Sequence, residues 1–223
     1  APIYHKAPDG PIERAITASG TNIISSTFHT AGYVWLHDSS KAAAAAENVA
    51  RLQNPLIQSV YFKEHLANGS FAYVRSTGAD LFLVPGMENA NQYLLSSFVG
   101  PDGPDVVVFF MENTASLPGG EATWKGDHGG ADWNAQHLRI IMSGPGVRHG
   151  KVSYQPAPLM DLAPTALKLM GIRDTGMQGI PLTDGMISPT KSELQASHAQ
   201  GAQIAPVIDA LSAESNAEKK AGK

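Results

Sequence analysis

The sequence predicts an α/β protein with a mostly parallel sheet flanked by helices, and two observations carry this expectation. Short β-branched and aromatic runs alternate along the chain with segments of helical composition, an order typical of parallel strands joined by crossover helices. One of the runs, residues 105–110 (DVVVFF), is almost entirely apolar. Such a run is expected for a central strand that is buried on both faces.

The first half of the chain contains several segments that fit this alternation. Residues 31–36 (AGYVWL) predict a strand that ends at the polar helix-start residues 37–40. A helix is expected over residues 41–53, because this segment holds five consecutive alanines, and Pro55 then closes it. The remaining elements are a strand at 60–62, a short helix or turn at 63–66, and a strand at 81–84.

The second half begins with the strand at 105–110 and a long loop over residues 111–132. Residues 138–142 (LRIIM) predict another strand, and residues 158–170 predict a helix with one apolar face and Gly171 at its C-terminal cap. From about Ser188 the chain becomes polar and alanine-rich. We therefore expect an α/β portion over residues 1–187 and a tail over 188–223, helical near 195–213 and frayed over 214–223.

Composition narrows the classes of function. The chain has 223 residues, of which 43% are apolar and 16% are charged, and its formal net charge is -4. An acidic balance argues against nonspecific binding of nucleic acid, and no apolar run approaches the roughly 20 residues of a membrane span. The absence of cysteine means that any metal site must use histidine and carboxylate ligands, and it is compatible with a periplasmic or secreted protein.

The long loop contains the residues that most suggest chemistry, Asp127-His128-Gly129-Gly130. Loops at the ends of central strands commonly carry ligand sites in open α/β sheets. A histidine followed by two glycines presents its imidazole with little neighbouring bulk, which suits metal coordination or contact with a phosphoryl group. A single loop histidine is, however, more often a solvated or hydrogen-bonded residue.

The motifs that follow this loop in the sequence strengthen its functional interpretation. After His128 come His137, an apolar run and residues 144–147 (GPGV). This order resembles the C-terminal metal-ligand region of the type I phosphodiesterase/nucleotide pyrophosphatase family, which belongs to the alkaline phosphatase superfamily. Residues 158–172 and 178–182 (QGIPL) are similar to the helix and the segment that follow it there. The resemblance covers roughly residues 12–187 and is strongest over 124–182.

The resemblance implies a partial alkaline-phosphatase-like fold and a metal-dependent hydrolase of phosphodiester or nucleotide-pyrophosphate bonds. In that family two divalent ions, usually zinc, flank the phosphoryl group and activate a threonine or serine nucleophile. His128 matches a histidine ligand that lies late in the family's chain, so it is the metal ligand we expect. Asp127 is either a structural acid beside this ligand, which the spacing to 144–147 favours, or a second ligand.

Other residues of this region carry weaker expectations. His137 and His149 are expected to pack or to lie in a surface turn, and Asp132 lies close enough in sequence to reach the site. Trp124 and Trp133 flank the loop and are expected either to pack it down, which is favoured, or to stack on a base. Asp161 is expected to cap its helix or to pair locally.

The family's nucleophile and its other ligands have no recognisable counterpart between Ala1 and Trp124. We therefore expect a C-terminal fragment that supplies one metal-ligand histidine and is inactive by itself. Its expected partners are a phosphate-ester or nucleotide substrate in the complete enzyme, and either a second copy of the chain or a missing N-terminal half. Nucleic acid and membrane are not expected partners. The alternative is a non-catalytic α/β binding or assembly module on the same scaffold.

Overall fold

The computed structural model describes residues 3–7, 10–77, 84–118 and 128–221. It divides into two compact units. The first unit comprises Ala1–Leu138 with Ala210–Lys223, and the second comprises Arg139–Asp209.

The first unit is built on a five-stranded sheet in the order β2-β3-β6-β4-β5. A separate parallel pair is formed by β1 and β7. In chain order the helices and strands of this unit are β1 (Ile3–Ala7), α1 (Pro11–Thr17), β2 (Ile23–Phe28), β3 (Ala31–Leu36), α2 (Ala42–Ala50), β4 (Ile57–His65), β5 (Phe71–Arg75), α3 (Met87–Leu95), β6 (Val106–Phe110), β7 (Thr114–Pro118) and α4 (Trp133–Gln136).

All neighbouring strands of the five-stranded sheet are antiparallel. The prediction of a mostly parallel sheet, and with it the expected alkaline-phosphatase-like arrangement, is therefore wrong. An uninterrupted apolar run shows that both faces of a strand are covered, but it carries no information on strand direction. Strands β3 and β4 do run in the same direction with α2 between them, but β6 lies between them in the sheet and is antiparallel to both.

Both faces of the sheet are covered by buried apolar side chains, and β6 contributes to each in turn. Val106, Val108 and Phe110 pack in the cluster that includes α1 and α2. Val107 and Phe109 point to the opposite face, where they pack with Tyr61, Tyr73 and Leu95. Because successive side chains point to two faces that are both covered, residues 106–110 contain no polar position although the sheet is antiparallel.

Several predicted elements are confirmed in the first unit. The strands at 31–36 and 105–110 correspond to β3 and β6, and the strand at 60–62 lies within β4. The helix at 41–53 is shorter than predicted, with a 3₁₀ turn at Ser39–Lys41 followed by α2. The short helix or turn at 63–66 is wrong, because β4 continues to His65 in register with β5. The strand predicted at 81–84 falls largely outside the described residues.

The second unit contains little regular structure. Its elements are a 3₁₀ turn at Leu159–Asp161, helix α5 (Leu162–Leu169), a 3₁₀ turn at Thr183–Gly185 and the beginning of helix α6 (Lys191–Lys220). The helix predicted at 158–170 is thus confirmed, and Gly171 after it has the left-handed φ of 71° that favours glycine. The strand predicted at 138–142 is wrong, because these residues form no β-ladder.

Helix α6 is longer than the sequence predicts. It continues through the segment expected to be frayed and ends at Lys220, and Glu214 and Glu218 within that segment are buried. These side chains accept hydrogen bonds from backbone groups of the first unit, which explains why a polar segment stays ordered. No helix within the described ranges is long and apolar enough to cross a membrane.

A buried carboxylate organises the second unit. Asp161 is fully buried, and its Oδ1 accepts hydrogen bonds from the Ile180 amide (2.9 Å) and the Gln200 side chain (3.2 Å). Thr165 Oγ1 donates to the Asp161 carbonyl and accepts from the Leu182 amide at 2.8 Å. Asp161 was expected to cap its helix or to pair locally, but its side chain makes no capping bond, and its partners lie 19 and 39 residues further along the chain. These bonds link α5 to the segment after it and to α6.

Apolar side chains are poorly covered in the second unit, and this leads to a prediction about local stability. Ile141 is 90% exposed and Tyr154 is 94% exposed. Within the described part of the chain, none of the amides of residues 139–142 donates to a backbone carbonyl. We expect these amides to exchange with solvent hydrogen much faster than those of β6, because local opening costs little where few contacts must break. Hydrogen–deuterium exchange mass spectrometry measures this, and equal protection of the two segments would contradict it.

Candidate metal-binding site

The His128 loop is held against the β2–β3 hairpin by two hydrogen bonds. Thr30 Oγ1 donates to the carbonyl oxygen of His128 at 2.6 Å. The Tyr33 hydroxyl donates to the carbonyl oxygen of Gly129 at 3.4 Å, and burial raises the pKa of this hydroxyl. Thr30 lies in the hairpin turn and Tyr33 lies in β3, so the sheet fixes the backbone of the candidate ligand while its imidazole remains exposed.

Gly130 allows this close approach. A Cβ at this position would lie 2.3 Å from Asp132 Oδ2 and 3.1 Å from the Cβ of Thr30. The Gly130 carbonyl accepts a hydrogen bond from the Gln136 side chain at 2.6 Å, so α4 also holds the loop. The second glycine of the motif therefore serves packing, and the first one, Gly129, has a left-handed φ of 86°.

This crowding gives a testable expectation for Gly130→Ala. The added methyl group must displace Asp132 or Thr30, so we expect a loss of about 1–3 kcal/mol in unfolding free energy, the usual cost of overpacking. Gly100→Ala is the matched control, because nothing lies within 4 Å of a Cβ at Gly100 and its φ is not left-handed. Urea denaturation of the two variants compares them, and equal stabilities would contradict the crowding.

A second histidine lies beside His128. The rings of His29 and His128 have centroids 6.5 Å apart and planes inclined by 15°. His29 is half-buried at the end of β2, and its amide donates to the carbonyl of Ala31 at 3.0 Å within the hairpin turn. The sequence analysis missed His29, because 98 residues separate the loop from the hairpin and only the tertiary contact of Thr30 brings them together.

The other predicted candidates fall into two groups. Asp127 and Trp124 lie outside the described residues. Within them, the ring of His137 stacks on that of Trp133 with centroids 4.0 Å apart, which is a packing contact of the kind expected for His137. Asp132 caps α4, since its Oδ1 accepts from the Ala135 amide at 3.1 Å, and burial raises the pKa of this carboxyl. His149 is exposed in a turn, as expected.

The described residues offer two neighbouring imidazoles but no complete set of metal ligands. In the described part of the chain, no group of three or more histidine, aspartate or glutamate side chains is placed to hold a metal ion. His29 and His128 supply two imidazoles, which are good zinc ligands when neutral, whereas catalytic zinc sites use about three protein ligands. The donor chemistry fits zinc, and further ligands would have to come from outside the described residues.

A cluster of buried carboxylates forms a second titratable feature of the first unit. Glu218 Oε2 accepts from the Glu112 amide at 3.0 Å, and Glu214 Oε2 accepts from the Val84 amide at 3.1 Å. Burial, with smaller contributions from the charges of Glu214, Glu112 and Asp132, raises the pKa of Glu218 to about 7. The spacing of four between Glu214 and Glu218 could have suggested a shared helix face, but nothing in the sequence indicates its burial.

Comparison with known proteins adds no relative: no protein-family model, curated protein or solved structure matches this chain. The resemblance described above therefore depends on the motif residues themselves.

Proposed function

We propose that this chain is part of a metal-dependent hydrolase of phosphodiester or nucleotide-pyrophosphate bonds, to which it contributes His128 as a ligand of a divalent ion, zinc in the first instance. Because the five-stranded sheet is antiparallel, the fold does not support this proposal. The support comes from the order of motifs over residues 124–182 and from the placement of the histidine.

The observation that carries the proposal is the way the His128 backbone is held while its ring is exposed. The hydrogen bonds from Thr30 and Tyr33 bind the carbonyl groups of His128 and Gly129 to the hairpin. A ligand whose backbone is fixed by a sheet loses little conformational entropy when it binds an ion, which is the arrangement that functional sites use.

In the proposed hydrolysis, the chain supplies a metal ligand and the ion supplies the electrostatic stabilisation. The imidazole of His128 is the ligand that the chain offers, and Gly129 places no side chain beside it. Zinc, when bound, polarises a phosphoryl oxygen and stabilises the charge that develops there. The nucleophile is placed outside this chain, so the proposal predicts binding of a phosphate ester here and no turnover.

Adenosine 5′-monophosphate tests the proposal, because it has the phosphoryl group that remains on a nucleotide after hydrolysis. Calorimetric titration at pH 7.5 is expected to show binding of this nucleotide in the presence of zinc and none in its absence. The binding is expected to disappear in His128→Ala and to persist in His137→Ala, whose ring stacks on Trp133. If the nucleotide binds equally well without zinc, or equally well to His128→Ala, the proposal is overturned. That result would favour a non-catalytic binding or assembly module.

Turnover is assayed separately with bis(p-nitrophenyl) phosphate and zinc. We expect no hydrolysis by the chain alone. Zinc-dependent hydrolysis that persists in the purified chain and is lost in His128→Ala would show that the chain contains its own nucleophile. This result would contradict the proposal that the nucleophile lies outside the chain.

A further inference from the structure

We infer that residues 210–220, the end of helix α6, form a pH-operated latch that is held in the first unit while its buried glutamates carry protons and is released when they ionise. We call these residues the C-terminal segment. The inference does not depend on the proposed function, because it involves neither His128 nor a metal ion. The observation behind it is that two glutamates of the segment are buried and accept hydrogen bonds from amides 130 and 106 residues away along the chain.

Two carboxyl groups attach the C-terminal segment to the first unit. Glu214 Oε2 accepts from the Val84 amide at 3.1 Å, and Glu218 Oε2 accepts from the Glu112 amide at 3.0 Å. The spacing of four places both glutamates on one face of the helix. Close packing supports this attachment at the start of α3, because a Cβ at Gly86 would lie 3.3 Å from the Cβ of Ala210.

No positive charge compensates these carboxyl groups in the described part of the chain. None of Glu112, Glu214 and Glu218 lies within ion-pair distance of a lysine, arginine or histidine side chain there. Glu112 Oε2 and Glu214 Oε1 are buried and have no hydrogen-bond partner. Lys219, in the segment itself, donates to Ser215 Oγ at 2.9 Å instead. Since an ionised carboxylate is costly in such a setting, the attached segment favours protonated glutamates.

The ionisable groups that face Glu218 within the described residues are all acidic. They are Glu214 of α6 itself, Glu112 after β6 and Asp132 at the start of α4. The Glu112 carboxyl also accepts a hydrogen bond from the Asn134 side chain, so α4 is attached to the same cluster. Burial, followed by these charges, raises the pKa of Glu218 to about 7, and burial raises the pKa of Glu214.

The direction of the pH effect follows from these groups. Below pH 4.5 Glu218 is protonated whether the segment is attached or released, so attachment is at its strongest. Between pH 4.5 and about 7 only the attached segment holds the proton, and attachment weakens as pH rises. From pH 5 to pH 8, Glu218 alone weakens attachment roughly 70-fold by this linkage.

The C-terminal segment is expected to open before the sheet does. Its buried apolar residues are the small Ala210 and a single large one, Leu211, whereas all five residues of β6 are buried. Local opening costs little where few apolar contacts must break. Once the carboxyl groups ionise, the remaining contacts of the segment are therefore weak compared with those that hold β6.

Hydrogen–deuterium exchange at pH 5 and pH 8, corrected for the intrinsic rate of exchange, tests the latch. Protection of the amides of residues 210–220 is expected to fall roughly 70-fold or more, and at pH 8 to lie well below that of β6. Glu218→Gln is expected to keep most of the protection of the segment at pH 8. Glu64→Gln, which changes an exposed glutamate of β4, is expected to behave like the unmodified chain.

Three results would overturn the inference. The first is equal protection of the segment at pH 5 and pH 8. The second is protection that falls but equals that of β6 at both pH values, because the segment would then open only with the whole unit. The third is a fall as large in Glu218→Gln as in the unmodified chain. Glu214→Gln is the second variant, and it is also expected to reduce the fall.

Discussion

Asp105→Ala is expected to lower the unfolding free energy by about 3–5 kcal/mol, because it removes one partner of a buried ion pair and leaves the other charge uncompensated. Asp105 Oδ1 lies 3.3 Å from Lys63 Nζ, and the two side chains are only 4% and 8% exposed. Asp105 Oδ2 also accepts a hydrogen bond from the Leu36 amide at 2.8 Å. The substitution therefore affects β3, β4 and the start of β6 together.

Two further variants separate the contributions in urea denaturation. Asp105→Asn keeps an acceptor for the Leu36 amide and removes the charge, so we expect an intermediate loss. Arg51→Ala breaks the pair with Glu47, in which the arginine side chain is 70% exposed, and is expected to cost no more than about 0.5 kcal/mol. A loss below about 1 kcal/mol for Asp105→Ala would show that the pair does not stabilise the sheet.

Glu218→Gln is expected to stabilise the protein at pH 8 by roughly 3 kcal/mol, since each unit of pKa shift corresponds to about 1.4 kcal/mol. The pKa of Glu218 is raised from 4.5 to about 7, chiefly by burial and further by the charges of Glu214, Glu112 and Asp132. Glutamine can still accept the hydrogen bond from the Glu112 amide. Its NH₂ group also brings a donor near Glu112 and Glu214, each of which has one buried oxygen without a hydrogen-bond partner among the described residues.

The pH dependence has a defined sign. Below pH 4.5 the Glu218 carboxyl is protonated in both the folded and the unfolded chain, so its contribution to stability is fully present. Between pH 4.5 and about 7 only the folded chain holds the proton, and the contribution is lost as pH rises through this window. Thermal or urea unfolding from pH 4 to 8 should show this loss in the unmodified chain and a flatter profile in Glu218→Gln. Parallel profiles would contradict the raised pKa.

The sequence predicts element type well where one local signal dominates. The alanine run of α2 and the apolar run of β6 are found where expected, because propensity and burial on both faces are encoded locally. Strand direction is not encoded in this way, since it depends on which strands become neighbours. Residues 63–66 were misjudged for a related reason: pairing with β5 extends β4 through polar residues that have no strand pattern of their own.

The same limit applies to the site. His128 stands out in the sequence because glycines follow it, but His29 has no such signal. Its place beside His128 depends on the hydrogen bond between Thr30 and His128. Residues 138–142 show the opposite case, in which a strong local strand pattern finds no partner strand in the described part of the chain, and Ile141 is left 90% exposed. A segment whose sequence is typical of a strand forms one only when another strand is available for pairing.

The most direct test of the account is the ³¹P relaxation of adenosine 5′-monophosphate in the presence of the cobalt-loaded chain. Cobalt(II) accepts the same ligands as zinc and is paramagnetic, so a phosphate bound to it relaxes fast. We expect strong broadening of the phosphorus signal that depends on the chain, is lost in His128→Ala and is kept in His149→Ala. A phosphorus signal that is equally sharp with the unmodified chain and with His128→Ala would contradict the claim that His128 binds a metal ion which engages a phosphoryl group.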